Sequence, residues 1–221
     1  MARPEDATLR QRGRPRDGSR ANVHDDLLRA MRLCLAERMY GEITLKDVAE
    51  RANTSQEMVR YYFGSKDGLL IALLRQMGER TSDALASLEK ELPDGSANPT
   101  RQLIATLLNI YLEVRHLYRS TALEFQRSQS VIRNEFLDER AELVVSGIHR
   151  IISRLIAAGN YAADVDSRKM AVSIMTMISG PVTLLSTLPE PWVSVEGLAS
   201  PEWVDHLTEL VDRRCRPASD W

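Results

Sequence analysis

The stretch TLKDVAERANTSQEMVRYYFGSK, residues 44–66, constrains the fold of this chain more than any other. Thr44 with Asp47 three residues on has the form of a capping box, so a short helix starts at residue 45 and ends near Ala52. Asn53 then stands where the backbone wants a left-handed residue, the role asparagine fills best after glycine. Ser55 is placed to cap a second short helix over 55–62, and Gly64 ends it. Ser65 caps a longer helix that opens KDGLLIALL and runs to about residue 90. Two short helices joined by a tight turn make a helix-turn-helix. Leu45, Val48 and Ala49 supply the buried face of the first, and the small Ala49 lets the second approach closely. Val59 and Phe63, four residues apart, anchor the second from below.

Adjacent aromatic residues on a helix point in different directions. With Phe63 assigned to the core, Tyr61 and Tyr62 join Gln56, Glu57 and Arg60 on the outer face. Glutamine and arginine match the base edges of a DNA major groove, and tyrosine offers a hydroxyl to phosphate and a ring to sugar or a thymine methyl. Lys66 opens the next helix, where a cation and free N–H groups converge on one anion.

The charge distribution agrees. Residues 1–66 hold 13 Lys and Arg against 10 Asp and Glu, whereas the whole chain of 221 residues carries a net charge of −2. A basic front and an acidic back assign a polyanion to one part and another task to the rest. Residues 1–20, with six arginines, two prolines and two glycines and no hydrophobic period, read as a disordered basic arm. Residues 21–66 form the helix-turn-helix domain, 67–92 a connecting helix, and 93–217 a larger domain beyond the break PDGSANP.

Residues 22–39 read as the first helix, with Val23, Leu27, Met31, Cys34 and Leu35 at spacings of three and four. Past residue 98 the pattern gives helices over about 99–118, 120–130, 134–158, 166–187 and 201–214, the last started by Ser200 and Pro201. No stretch alternates with period two. The fold class is all-α: an N-terminal helix-turn-helix domain plus a larger C-terminal helical domain.

No Walker loop, dinucleotide fingerprint, paired-histidine metal motif or nucleophile elbow occurs, so neither an enzyme nor a cofactor is expected. The four histidines include no i,i+4 pair, and no metal site is expected. Two distant cysteines imply no disulfide framework, and no apolar run reaches membrane-spanning length. With no signal peptide in view, the expected location is the cytoplasm.

The block ITLKDVAERANTSQEMVRYYFGSKDGLL resembles the DNA-binding domain of the TetR family of bacterial transcriptional regulators, over about residues 22–75. The resemblance implies that Thr44 opens the first helix against phosphate, that Lys46 lies near the groove, and that Ser55 and Gln56 open the recognition helix. It also implies that Tyr62 and Lys66 bind phosphate. Asn53, Thr54 and Arg60 depart from the usual glycine, apolar residue and tyrosine, and each bears on which operator is read. The resemblance further implies a homodimer on the last two helices, with Ile178 and Leu207 at the contact. Between them and the front it implies a ligand pocket. Leu103, Leu107, Tyr111, His116, Met175 and Met177 are its expected wall, facing a small, largely hydrophobic effector. The function expected is a dimeric regulator, a repressor released by that effector from a near-palindromic double-stranded DNA operator. The alternative is a helical interaction protein whose helix-turn-helix no longer reads specific DNA.

Overall fold

The computed structural model describes residues 17–92, 98–126, 130–136, 142–184 and 194–217. Its front half follows from local chemistry. Helix α1 spans Asp17–Glu37, a single 3-10 turn spans Tyr40–Glu42, α2 spans Leu45–Arg51 and α3 spans Gln56–Phe63. The Thr44 capping box forms: the Thr44 side chain accepts from the Asp47 amide at 3.2 Å, and the Thr44 amide donates to the Asp47 carboxylate at 2.7 Å. Asn53 takes the left-handed conformation at φ 51°. Ser55 behaves differently from expectation and makes no cap bond to the α3 backbone. Ser65 does cap α4, Lys66–Glu91, accepting from the Gly68 amide at 3.0 Å.

Four elements of the back half were drawn differently from sequence. The break expected between the helices over 99–118 and 120–130 falls earlier, at Val114 (φ −99°, ψ 6°), between α5, Pro99–Glu113, and α6, Arg115–Gln126. Of the helix expected over 134–158, the described residues show α8, Glu142–Ala157, and a short α7, Val131–Phe136, which overlaps its start. Helix α9 spans Ser167–Leu184, with Pro181 inside it. One turn, α10 at Val195–Leu198, precedes α11, Pro201–Cys215, which starts at Ser200 and Pro201 as read. The described residues contain no strand. The arm expected over 1–20 lies outside the described residues up to 16, and its last four residues belong to α1.

Two cores organise the helices. The front one gathers Leu27, Met31, Cys34, Leu35, Ile43, Val48 and Val59 with Leu69, Leu70, Leu73 and Leu74 of α4. It is closed by Leu117 of α6 and Ile132 of α7. The back core packs Leu85 and Leu88 at the far end of α4 against α5, α8, α9 and α11. The boundary drawn at residue 66 therefore cuts through one core. Cys34 and Cys215 are both buried free thiols, one in each core.

The junction of α3 and α4 is tighter than its sequence announces. A Cβ on Gly68 would lie 2.1 Å from the Phe63 carbonyl oxygen, a backbone atom that cannot step aside. Gly68→Ala is expected to cost roughly 1–3 kcal/mol, the range for overpacking. Thermal denaturation would show it as a lowered midpoint, and an unchanged midpoint would mean that the junction yields.

Candidate DNA-binding face and apolar cavity

Val59 is fully buried beneath α3, which leaves the opposite side of that helix to solvent. Tyr61 is 69% exposed, and Thr44, Lys46, Ser55, Glu57 and Arg60 are exposed with it. Gln56 is half-buried. The expected residues thus lie at the helix-turn-helix surface, but several already have partners. The Thr44 hydroxyl donates to the Asp47 carboxylate at 2.6 Å. That bond, joined by Arg38, holds the Asp47 carboxyl below the usual carboxylate range. Lys46 pairs with Glu50 at 3.7 Å. The Ser55 hydroxyl binds the Glu57 side chain and likewise holds its carboxyl below the usual carboxylate range.

Two expectations change here. Phe63 and Tyr62 are both half-buried and pack on the front core, where sequence separated one as core and the other as surface. The cause is His24 of α1, whose ring lies 4.9 Å from Phe63 and 5.9 Å from Tyr62. Its placement in this aromatic cluster had no local sequence signal, because it comes from another helix.

Lys66 changes more. Its ammonium donates to the Tyr40 carbonyl at 3.0 Å and the Ile43 carbonyl at 2.7 Å, and lies 4.1 Å from the centre of the Tyr40 ring. The cation ties the segment between α1 and α2 to the start of α4. Burial lowers its pKa, with Asp67 opposing. Tyr40 in turn donates its hydroxyl to Asp67, and burial first and that carboxylate second push the phenol well above its usual range. Lys66→Met should leave two carbonyls without their charged donor, at roughly 1.5–3 kcal/mol each for such bonds. A drop in melting temperature of the DNA-free protein is the expected reading; a contact role confined to phosphate would leave it unmoved.

Farther back, α4, α5, α6, α8 and α9 enclose a cavity of ≈ 270 Å³. Among the described residues its wall is largely apolar, with Leu74, Met77, Ile110, Val114, Leu117 and Val144 prominent and no charged residue. Tyr111 and Met175 line it as expected. Leu103 and Leu107 do not, because both are fully buried in the back core. Met177 packs on that core instead, and His116 lies off the wall. Burial, then Arg115 and Arg119, lowers the His116 pKa. Tyr118, which the sequence sets beside Tyr111 and His116 as a pocket candidate, lines the cavity and stacks on Tyr111 at 5.5 Å. Seven residues of unbroken helix would hold them about 10 Å apart; the break at Val114, unmarked by glycine or proline, brings them together. A larger polar hollow of ≈ 410 Å³ lies along α11, where Asp205 and Asp212 are paired with Arg101 and Arg216 at 2.7 Å each.

The expected dimer residues are likewise corrected. Ile178 is fully buried and Leu207 is 3% exposed, both inside the protomer's own core. The apolar side chains that α9 and α11 turn outward are Val172, Leu184 and Leu210. No described helix is long and apolar enough to cross a membrane. No cluster of three metal-ligating side chains occurs among the described residues.

An exposed second helix on a front core, joined through α4 and α6 to an all-α domain with an apolar cavity, fits the class of helix-turn-helix regulators. The sequence profile of bacterial regulatory proteins of the tetR family matches residues 27–73. The HTH-type transcriptional regulator BetI 2 of Chromohalobacter salexigens is 34% identical over 82 residues, which cover 37% of this chain and 40% of that protein. The HTH-type transcriptional repressor AcnR of Corynebacterium glutamicum is 24% identical over 87% of this chain and 94% of its own. A TetR transcription regulator from Haloarcula marismortui superimposes with a TM-score of 0.70 at 25% identity, over 89% of this chain and all of that one. Residues 27–73 carry the DNA-binding domain of the tetR family of bacterial regulatory proteins, and the chain as a whole has the fold of TetR regulators.

Proposed function

We propose that this protein is a homodimeric repressor that binds a near-palindromic operator in the cytoplasm and leaves it when a small hydrophobic molecule enters the apolar cavity. The observation that carries the reading is the position of α4. Its first turns build the front core beneath α3, and Leu74, Met77 and Thr81 of the same helix line the cavity. Anything that changes the cavity therefore acts on an element that also supports the recognition helix.

On the DNA side, Arg60 and Tyr61 face solvent at the centre of α3, with Gln56 beside them. Two such helices related by a two-fold axis would enter successive major grooves about 34 Å apart, or a multiple of that. The outward apolar residues Val172, Leu184 and Leu210 favour a self-contact on α9 and α11, repeated on both subunits by symmetry. The cavity, uncharged and with Tyr111 and Tyr118 as polar anchors, favours a neutral apolar effector. Such a molecule induces only if it binds the DNA-incompetent state more tightly.

A duplex enriched by the full-length protein from a random DNA pool provides the test. Arg60→Ala should weaken its binding and relax preference at one base pair, by roughly 1–3 kcal/mol. Lys46→Ala should weaken all sequences alike and reduce the salt slope by about one. No enrichment of any sequence would refute specific DNA binding. For the dimer, Val172→Arg combined with Leu210→Arg should give monomers in sedimentation, and an intact dimer would move the contact elsewhere. Apolar compounds should raise the melting temperature and release the duplex together; stabilisation by ions or nucleotides alone would remove the cavity as the regulatory site.

A further inference from the structure

Helix α4 is not the sole bridge between cavity and front domain. Val114, Leu117 and Tyr118 line the cavity, and Leu117 is at the same time part of the front core. The next two residues of α6 reach the C-terminal turn of α1. The Ser120 hydroxyl lies 2.5 Å from the Leu35 carbonyl, and Arg119 donates to the Ala36 carbonyl at 3.4 Å. The last carbonyls of a helix have no partner within it, so these bonds cap α1 from outside. Ser120 also lies 2.5 Å from the His116 carbonyl of its own helix. A hydroxyl has one proton, so it either serves α1 or turns back into α6.

The end of α1 is where the front domain is gathered. Glu37 holds Arg51 of α2 through two bonds of 2.8 and 2.7 Å, and Arg38 pairs with Asp47 at 3.4 Å. Tyr40 and Ile43, just beyond, are the residues gripped by Lys66. A shift at Leu35 is thus delivered to α2, the partner of the recognition helix. The break at Val114 separates α6 from α5, which frees α6 to turn without carrying the back core along.

We propose that Ser120 is the positioning residue that couples the cavity to the helix-turn-helix: with the cavity open its hydroxyl clasps the Leu35 carbonyl, and filling the cavity turns α6 so that the bond falls back to His116. Both arrangements leave the hydroxyl satisfied, which makes the element two-state rather than continuously deformable. The proposal rests on the regulatory reading above. It departs from a route through α4 alone, because that route does not need Ser120.

The test uses the full-length protein and no ligand. Ser179 lines the cavity, so Ser179→Phe serves as a built-in occupant, with Ser179→Leu as a milder filler should the first fail to fold. Each is combined with Ser120→Ala in a double-mutant cycle. Affinity is measured on the enriched duplex, and amide hydrogen exchange is followed over residues 34–44. The filler should weaken DNA binding tenfold or more with Ser120 present, and less than threefold in the Ser120→Ala background. Exchange over 34–44 should rise with the filler only when Ser120 is present. Equal penalties in both backgrounds, or no penalty from either filler, overturn the proposal. If no duplex can be enriched, the DNA-binding reading fails, and the exchange arm still decides on the coupling.

Discussion

The structure depends on α4 having no core of its own. Its near leucines, Leu69 to Leu74, belong to the front core, where Leu117 of α6 and Ile132 of α7 join the helix-turn-helix side, and Leu85 and Leu88 belong to the back core. At 1.5 Å per residue the helix is about 39 Å long, so its ends lie in different surroundings that must both be folded for it to stand. Neither half can be treated as an independent module with a linker between. Close packing transmits strain across such an element, and the proposed regulation relies on this between a cavity on its middle turns and α3 at its start.

The second dependence is at the seam between α1 and α2. There the side chains of Lys66, Asp67, Arg51 and Asp47 converge on one short segment, Glu37 to Ile43. The exposed pairs among them contribute little individually. Lys66 is different, because its two carbonyl partners and the Tyr40 ring surround a partly buried charge. Polar residues that sequence assigns to DNA are here held first by the protein, and this presets the surface that meets the nucleic acid.

What was legible in the sequence divides along the same lines. Caps and turns are local, so the Thr44–Asp47 box, the left-handed Asn53, the Ser65 cap and the Ser200–Pro201 start were readable from a few adjacent residues. Val48, Ala49 and Val59 followed from period and are buried as read. Ser55 was misjudged because a hydroxyl at that position had a second partner in Glu57. The cavity was half legible. Tyr111 and Met175 carried the right chemistry, but Leu103 and Leu107 share a helical face with core positions, and only the fold decides which apolar residues line an empty space. The break at Val114 lacks any glycine or proline, so the sequence does not mark where Tyr118 turns back onto Tyr111. Ile178 and Leu207 failed for a related reason: apolar character marks a buried position without saying whether the same chain or a second copy buries it.

The two cysteines give the molecule one practical property. Burial raises the thiol pKa of Cys34 and pushes that of Cys215 up to about 11, so little of either is thiolate at neutral pH. Thiolate is the species that alkylating reagents attack. The native protein is therefore nearly silent toward maleimide, and a single cysteine introduced at an exposed site would be the one that reacts. A spin or fluorescent label at position 61 would then report the separation of the two α3 helices in the proposed dimer directly.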